Sequence, residues 1–291
     1  MAKIDVDLVS DIKAELGEGP LWSAKEQSIY WIDVTQRKVF RHNLASNKSE
    51  TFSVSGMPGC IALRKNGGLL AVYRTGPALV SLDTGEETKV ASDIDFGKER
   101  FNDGKTDRRG RMFAGTMDKT MKEPIGGLYR IDTDRSVTRV SDGIRLSNGM
   151  AWSPDDRILY HNDSRPGFVY AYDYDIDTGT PRNRRVHIDL SSAGYHPDGC
   201  TVDAEGFLWI AEVNSGRVGR YAPDGRRVSG VELPTSRVSS VMFGGPKLDL
   251  LFITTMSYNL TPEQIAAQPL AGRLFVAQPG VKGLPEPDFA G

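Results

Sequence analysis

Ser147-Asn148-Gly149-Met150-Ala151-Trp152-Ser153-Pro154-Asp155-Asp156-Arg157-Ile158-Leu159-Tyr160 is one copy of a pattern that the chain repeats. A polar residue and a glycine open it, a short alternating apolar run follows, and a turn cluster separates that run from a second one. Short apolar runs bounded by turn formers read as strands. Counterparts of the opening lie at Gly19-Pro20-Leu21-Trp22, Gly59-Cys60-Ile61-Ala62, Gly104-Lys105-Thr106-Asp107, Gly199-Cys200-Thr201-Val202 and, more weakly, Ser240-Val241-Met242-Phe243. Successive openings stand 40, 45, 45, 50 and 41 residues apart. A period of that size signals a repeat architecture.

Each unit continues in the same way. Second runs include Ile29-Tyr30-Trp31-Ile32, Met112-Phe113-Ala114-Gly115 and Leu208-Trp209-Ile210-Ala211; third runs include Leu128-Tyr129-Arg130-Ile131 and Arg273-Leu274-Phe275-Val276; a fourth run closes the unit. Six units of four short strands with little helical periodicity predict an all-β fold, a six-bladed β-propeller of four-stranded antiparallel blades around a central channel. A β-sandwich does not require six aligned units. The expectation is one domain over residues 1–291, with an early strand at 4–9 pairing as the outer strand of the last blade and joining the chain ends.

Composition narrows the partners. The 291 residues are 39% apolar and 25% charged, enough for a sizeable core, and the formal net charge is -2. Lys and Arg are scattered, so neither nucleic acid nor an anionic membrane is an expected partner, and a small molecule is. Residues 1–7 lack the apolar stretch of a signal peptide, and only Cys60 and Cys200 are present. A disulfide framework is therefore not expected, and the expectation is a cytoplasmic protein, monomeric or weakly dimeric.

In such a blade the first strand lies nearest the axis, so the residues that introduce the first strands converge on one mouth of the channel. Those residues are Glu18, Pro58, Asp103, Asn148, Asp198 and Ser239. Asp-Gly and Asn-Gly are also ordinary turn chemistry, but that preference does not extend to Glu18. Carboxylates crowded at one mouth repel unless a cation or proton compensates. Oxygen donors suit a hard or borderline divalent ion. The four histidines, His42, His161, His187 and His196, show no paired-ligand spacing, and no GxSxG elbow occurs. The loop between the second and third strands returns to the same mouth. Two such loops are long, 118–125 and 257–270, and the latter contains Thr261-Pro262-Glu263-Gln264, a helix start with a capping box. Trp22, Trp31, Trp152 and Trp209 are expected in the core between blades, and Asp163 is left open as a residue that faces the pocket or supports it.

The segments Leu16-Gly17-Glu18-Gly19-Pro20, Arg100-Phe101-Asn102-Asp103-Gly104-Lys105, Phe113-Ala114-Gly115-Thr116-Met117, Ser147-Asn148-Gly149, Pro197-Asp198-Gly199 and Gly280-Val281-Lys282-Gly283 resemble the SMP-30/gluconolactonase/regucalcin family. The resemblance implies a six-bladed propeller that hydrolyses sugar lactones with one divalent metal ion, held by a Glu, an Asn and an Asp that fall on Glu18, Asn148 and Asp198. Ca, Zn, Mn, Mg and Fe(II) all remain open as that ion. Substrate contacts fall on Arg100 and Asn102. The repeat register instead puts Asp103 in the third unit's slot, so Asn102 or Asp103 faces the channel, and Asp103 or Asp198 is the candidate base. Some members carry a further acid on the third unit's lid, with which Asp118 and Glu123 do not align. Two other functions stay open: a metal-dependent aryl esterase or organophosphate hydrolase, and a non-catalytic calcium-binding regulator.

Overall fold

The computed structural model describes residues 4–91 and 95–291, and in it the repeat is a six-bladed β-propeller of four-stranded antiparallel blades. The innermost strands of blades one to six are Gly17–Ser23, Pro58–Leu63, Glu99–Thr106, Ser147–Trp152, His196–Val202 and Val238–Gly244. Each touches the innermost strand of the next blade, and the sixth touches the first, which closes the ring. The outermost strand of blade six is Val6–Leu8, paired antiparallel with Phe275–Ala277 so that Val6 faces Ala277 and Leu8 faces Phe275.

Burial follows from the radial arrangement. Second strands are covered on both faces, and in Leu69–Tyr73 and Met112–Asp118 every residue is buried. Outer strands meet water, as Lys48–Ser53 does. Aromatic pairs join blade to blade: Trp22 stacks on Phe252 with ring centres 5.8 Å apart, Trp152 meets Phe113 edge-on at 5.4 Å, and Trp209 meets Phe243 edge-on at 5.8 Å. Such pairs contribute about 0.5–1.5 kcal/mol each beyond their buried area. Trp31 packs on Phe40 inside blade one.

Two local features shape the channel. All six pairings between first and second strands slip register near the start of the first strand, for instance between Glu18 and Leu21 and between Pro197 and Cys200. Such a bulge re-aims side chains, here at the residues that introduce the blades. The glycines behind them let neighbouring first strands approach. A Cβ on Gly149 would lie 2.6 Å from Cys200 N and collide with the Asp198 carbonyl, and one on Gly199 would collide with Ser240. At Gly149 and Gly199 it is this close approach of the neighbouring first strand, rather than turn chemistry, that excludes a side chain.

The opposite end of the channel is covered by the C-terminal segment. Ala204 N donates to Lys282 O at 2.8 Å beneath blade five, Phe289 N to Leu63 O at 2.7 Å beneath blade two, and Ala290 N to Gly110 O at 2.9 Å beneath blade three. Phe289 is fully buried there. Among the described residues no helix is long and apolar enough to cross a membrane.

Candidate metal centre and channel mouth

Glu18, Asp103 and Asp198 sit in equivalent bulged positions, and each carboxylate accepts a hydrogen bond from the glycine that follows it. Gly19 N donates to Glu18 Oε2 at 3.1 Å and Gly104 N to Asp103 Oδ1 at 2.7 Å, and Gly199 N–H plays the same part for Asp198. All three are surrounded by protein yet open onto the channel. Burial, then the charges of Asp198 and Asp103, push Glu18 well above the usual carboxylate range. Burial and then Asp103 do the same to Asp198. Asp103 itself is pushed up to about 6, chiefly by burial, against the pull of the Gly104 N–H and Lys105.

Asn148 stands beside them, buried, with its carboxamide oriented from both sides. Asn102 Nδ2 donates to Asn148 Oδ1 at 2.7 Å, and Asn148 Nδ2 donates to Ser164 Oγ at 2.7 Å. Ser164 in turn donates to the carbonyl of Pro197, next to Asp198, whose own carbonyl accepts from Asn162 Nδ2 at 2.6 Å. The tip of blade four thus ties the first strands of blades four and five together. Asn162 and Ser164 did not emerge from the sequence, although they end a second strand and so return to the mouth; that register was the available signal.

The third blade sends its two candidate residues to different places. Asn102 reaches Asn148 at the mouth, whereas Asp103 lines a small cavity inside the channel together with Lys105, Cys60, Cys200 and Glu286. Lys105 Nζ donates to Cys200 O at 2.9 Å. The thiols of Cys60 and Cys200 are free, and burial raises both above their ordinary value. Glu286, from the C-terminal segment, was not singled out by the sequence reading.

Arg100 pairs with neither neighbouring acid. Its Nη1 donates to Phe101 O at 3.3 Å and to Asn102 Oδ1 at 3.1 Å, while Glu99 is held by Arg139. Pro58 brings no donor, and Ser239 Oγ donates to Gly17 O at 2.6 Å, a strand-to-strand tie. Asp163 supports rather than faces the pocket: its oxygens accept from Leu146 N at 2.8 Å and Arg145 N at 3.1 Å. His161 is fully buried, within 2.7 Å of Ser147 Oγ, and burial pulls it down to about 3, so it stays neutral.

The lids take the places predicted for them. Asp118 folds the blade-three loop by accepting from Thr120, Lys122 N and Glu123 N, contacts that hold its carboxyl well below the usual range. The blade-six loop carries a helix, Pro262–Ala267, capped reciprocally by Thr261 and Gln264. Met121 and Tyr258 expose 44% and 37% of their surface on these lids, unusual for large apolar side chains in this chain.

Among the described residues no three His, Cys, Asp or Glu side chains form a metal-holding group. A cation at the mouth would therefore need the Asn148 carboxamide beside the carboxylates of Glu18 and Asp198. The donor chemistry fits one: the carboxylates are destabilised by each other and by burial, a condition that a divalent ion relieves. Asn148 Oδ1 keeps a second lone pair after accepting from Asn102.

A propeller whose channel mouth gathers oxygen donors defines a class, and the comparisons narrow it. Residues 16–257 match the model of the SMP-30/Gluconolactonase/LRE-like region. Regucalcin of Danio rerio is 39% identical over the full length of both chains. A crystal structure described as a calcium-binding protein, regucalcin, from Agrobacterium tumefaciens superposes with a TM-score of 0.93 at 27% identity, covering 99% of each chain. A luciferin-regenerating enzyme superposes at 0.89 with 27% identity, over 97% of this chain and 98% of the other. The chain belongs to the SMP-30/gluconolactonase/LRE-like family.

Proposed function

We propose that the protein hydrolyses a sugar lactone to the open-chain sugar acid, with a divalent cation held by Glu18, Asn148 and Asp198. The observation that carries this reading is the cluster of mutually repelling carboxylates at the mouth, beside a carboxamide whose orientation is fixed from both sides. When bound, such an ion supplies Lewis acidity to an ester carbonyl and acidifies water. The chain's own groups do the rest. Arg100 donates to the sugar at the rim, away from the reacting ester, and Asn102, tied to Asn148, fixes the floor on which the ring lies. Asp103 accepts the water's proton; its value of about 6 keeps it ionised at neutral pH without making it too weak a base. Asp198 is the other carboxylate able to take that proton, from its side of the mouth. The lids hold bulk water away from the reacting ester.

The test is a pH-indicator assay of chelated protein against pentono- and hexonolactones, with aryl esters in parallel and Ca, Mg, Mn, Zn and Fe(II) added back. A metal-dependent rate with a lactone, lost when Glu18, Asn148 and Asp198 are all replaced by alanine, is the expected result. Hydrolysis of aryl esters alone would favour the esterase reading. Tight metal binding without hydrolysis of any ester would favour the calcium-binding regulator, a reading that draws on the description of the Agrobacterium relative.

A further inference from the structure

Two arginines stand at the rim of this mouth on strand ends joined by a backbone hydrogen bond, and neither forms an ion pair among the described residues. Arg74 directly follows the second strand of blade two, Leu69–Tyr73, and Arg100 lies near the start of the first strand of blade three. The backbone holds them side by side: Phe101 N donates to Arg74 O at 3.1 Å, while Arg74 N donates to Met57 O at 2.9 Å. Arg100 spends one nitrogen on two neutral oxygens, Phe101 O and Asn102 Oδ1. Among the described residues, Arg74 Nε is buried without a hydrogen-bond partner.

Among the described residues, the neighbouring acids are committed elsewhere. Glu99 lies 2.5 Å from Arg139 Nη1 and also accepts from Thr116, Glu87 accepts from Ser55 N at 2.8 Å, and Asp118 is spent on its own loop. Burial and the nearby charge of Arg74 pull Arg100 down to about 10. Unlike the carboxylates deeper in the channel, these like charges are not relieved by a cation; they call for an anion. The hydroxyls of a neutral sugar ring are satisfied by single neutral donors and acceptors, whereas two planar forks match the paired oxygens of a carboxylate or a phosphate.

We propose that Arg74 and Arg100 form an anion subsite, and that the preferred lactone carries a second, negatively charged group, carboxylate or phosphate, at the end of the sugar remote from the reacting ester. The substrate class rests on the lactonase reading; the anion subsite does not. Arg100 reaches Asn102, and Asn102 reaches Asn148, so the subsite adjoins the reacting end of the same pocket.

The metal-loaded protein is to be assayed with three hexonolactones: neutral, carboxylate-bearing and phosphate-bearing. One of the anionic lactones should exceed the neutral one in kcat/KM by about tenfold or more, and which of the two does so identifies the group. Arg74→Gln should lower that ratio by about tenfold, mainly through KM, and Arg74→Lys should restore part of it. A second measurement needs no turnover: calorimetric titration of chelated protein with the open-chain dicarboxylate, phosphorylated monocarboxylate and plain monocarboxylate sugar acids. One of the doubly anionic acids should bind more tightly than the plain one, and R74Q, shown folded by its thermal unfolding curve, should lose that advantage. Equal binding of all three acids, or a preference that survives in R74Q, overturns the subsite. Arg74-dependent binding without hydrolysis of any lactone would leave the subsite standing and remove the lactonase reading. Hydrolysis without any anionic preference would do the reverse.

Discussion

Replacing Asp103 with asparagine should stabilise the metal-free protein at neutral pH and above. Asparagine keeps an oxygen for the Gly104 N–H, which donates to Asp103 Oδ1 at 2.7 Å, and it removes a charge that acts on both Glu18 and Asp198. Asp103 is raised from 3.8 to about 6, chiefly by burial. A difference of about two pH units amounts to about 3 kcal/mol, and the side chain's opening onto channel water reduces that to about 2 kcal/mol. In the unfolded chain this carboxyl ionises near pH 4, in the folded chain near pH 6. Below pH 4 both states hold the proton and stability is intact; as pH rises the unfolded chain releases it first, so stability falls and the loss is complete above the folded value. At about 2.1 cal/mol/K of unfolding entropy per residue, 1 kcal/mol shifts the midpoint of a 291-residue chain by about 2 °C. D103N should therefore unfold about 3–5 °C above the wild type at pH 8 and level with it at pH 4. Scanning fluorimetry in chelator from pH 4 to pH 8 measures this. A variant that melts with the wild type, or below it, throughout that range refutes the claim that these carboxylates burden the empty channel.

Other consequences can be checked in the same way. Asn148→Ala should weaken divalent-metal binding by about 10- to 100-fold in calorimetry. Ser164→Ala, which frees the Asn148 carboxamide to turn, should weaken it by about tenfold, with Ser164→Thr restoring most of the affinity. Gly149→Ala should cost at least about 1–3 kcal/mol in urea unfolding, because the new methyl meets the backbone at Asp198 and Cys200 and neither strand can withdraw. Phe289→Ala should cost about 3–5 kcal/mol in the same experiment, since its ring is fully buried in the core of blades two and three.

Sequence exposed what is periodic and local. Strand pairs recur at a fixed interval, so six blades could be counted, and the slots of Glu18, Asn148 and Asp198 could be aligned without coordinates. The capping box at Thr261 and Gln264 was legible because all its partners lie within one turn. What stayed hidden depends on contacts between units. The glycines of the repeat looked like turn residues, yet Gly149 and Gly199 are there because a neighbouring first strand passes too close for a Cβ. Arg74 carries no sequence signal of its own, and only the hydrogen bond from Phe101 N shows that it shares a rim with Arg100. Ser164 matters through Pro197, and Glu286 reaches the channel by way of a segment that crosses beneath several blades, connections that no local pattern encodes.

Charge in the channel is graded along its axis, and that grading bears on how a ligand enters. At the rim, Arg74 and Arg100 carry positive charge without acid partners among the described residues; a layer deeper stand the carboxyl groups of Glu18, Asp103 and Asp198; deeper still, Lys105 stands between Asp103 and Glu286. The far end is covered by the segment around 284–287, which lies against Lys105, Thr106, Trp152 and Val202. A ligand therefore arrives past the rim and beneath the exposed Met121 and Tyr258 of the lids. An anionic group entering that way would be held at the rim by Arg74 and Arg100 and repelled by the carboxylates below, unless a cation sat among them. Rim and floor together would impose an orientation: the charged end of a ligand would stay outermost while its neutral ester reached the oxygen cluster. If this ordering governs the chemistry, raising ionic strength should lower kcat/KM for an anionic lactone far more than for a neutral one, because screening weakens the rim's attraction without altering the contacts at the ester. Equal salt dependence for both lactones would mean that the rim charges take no part in selection.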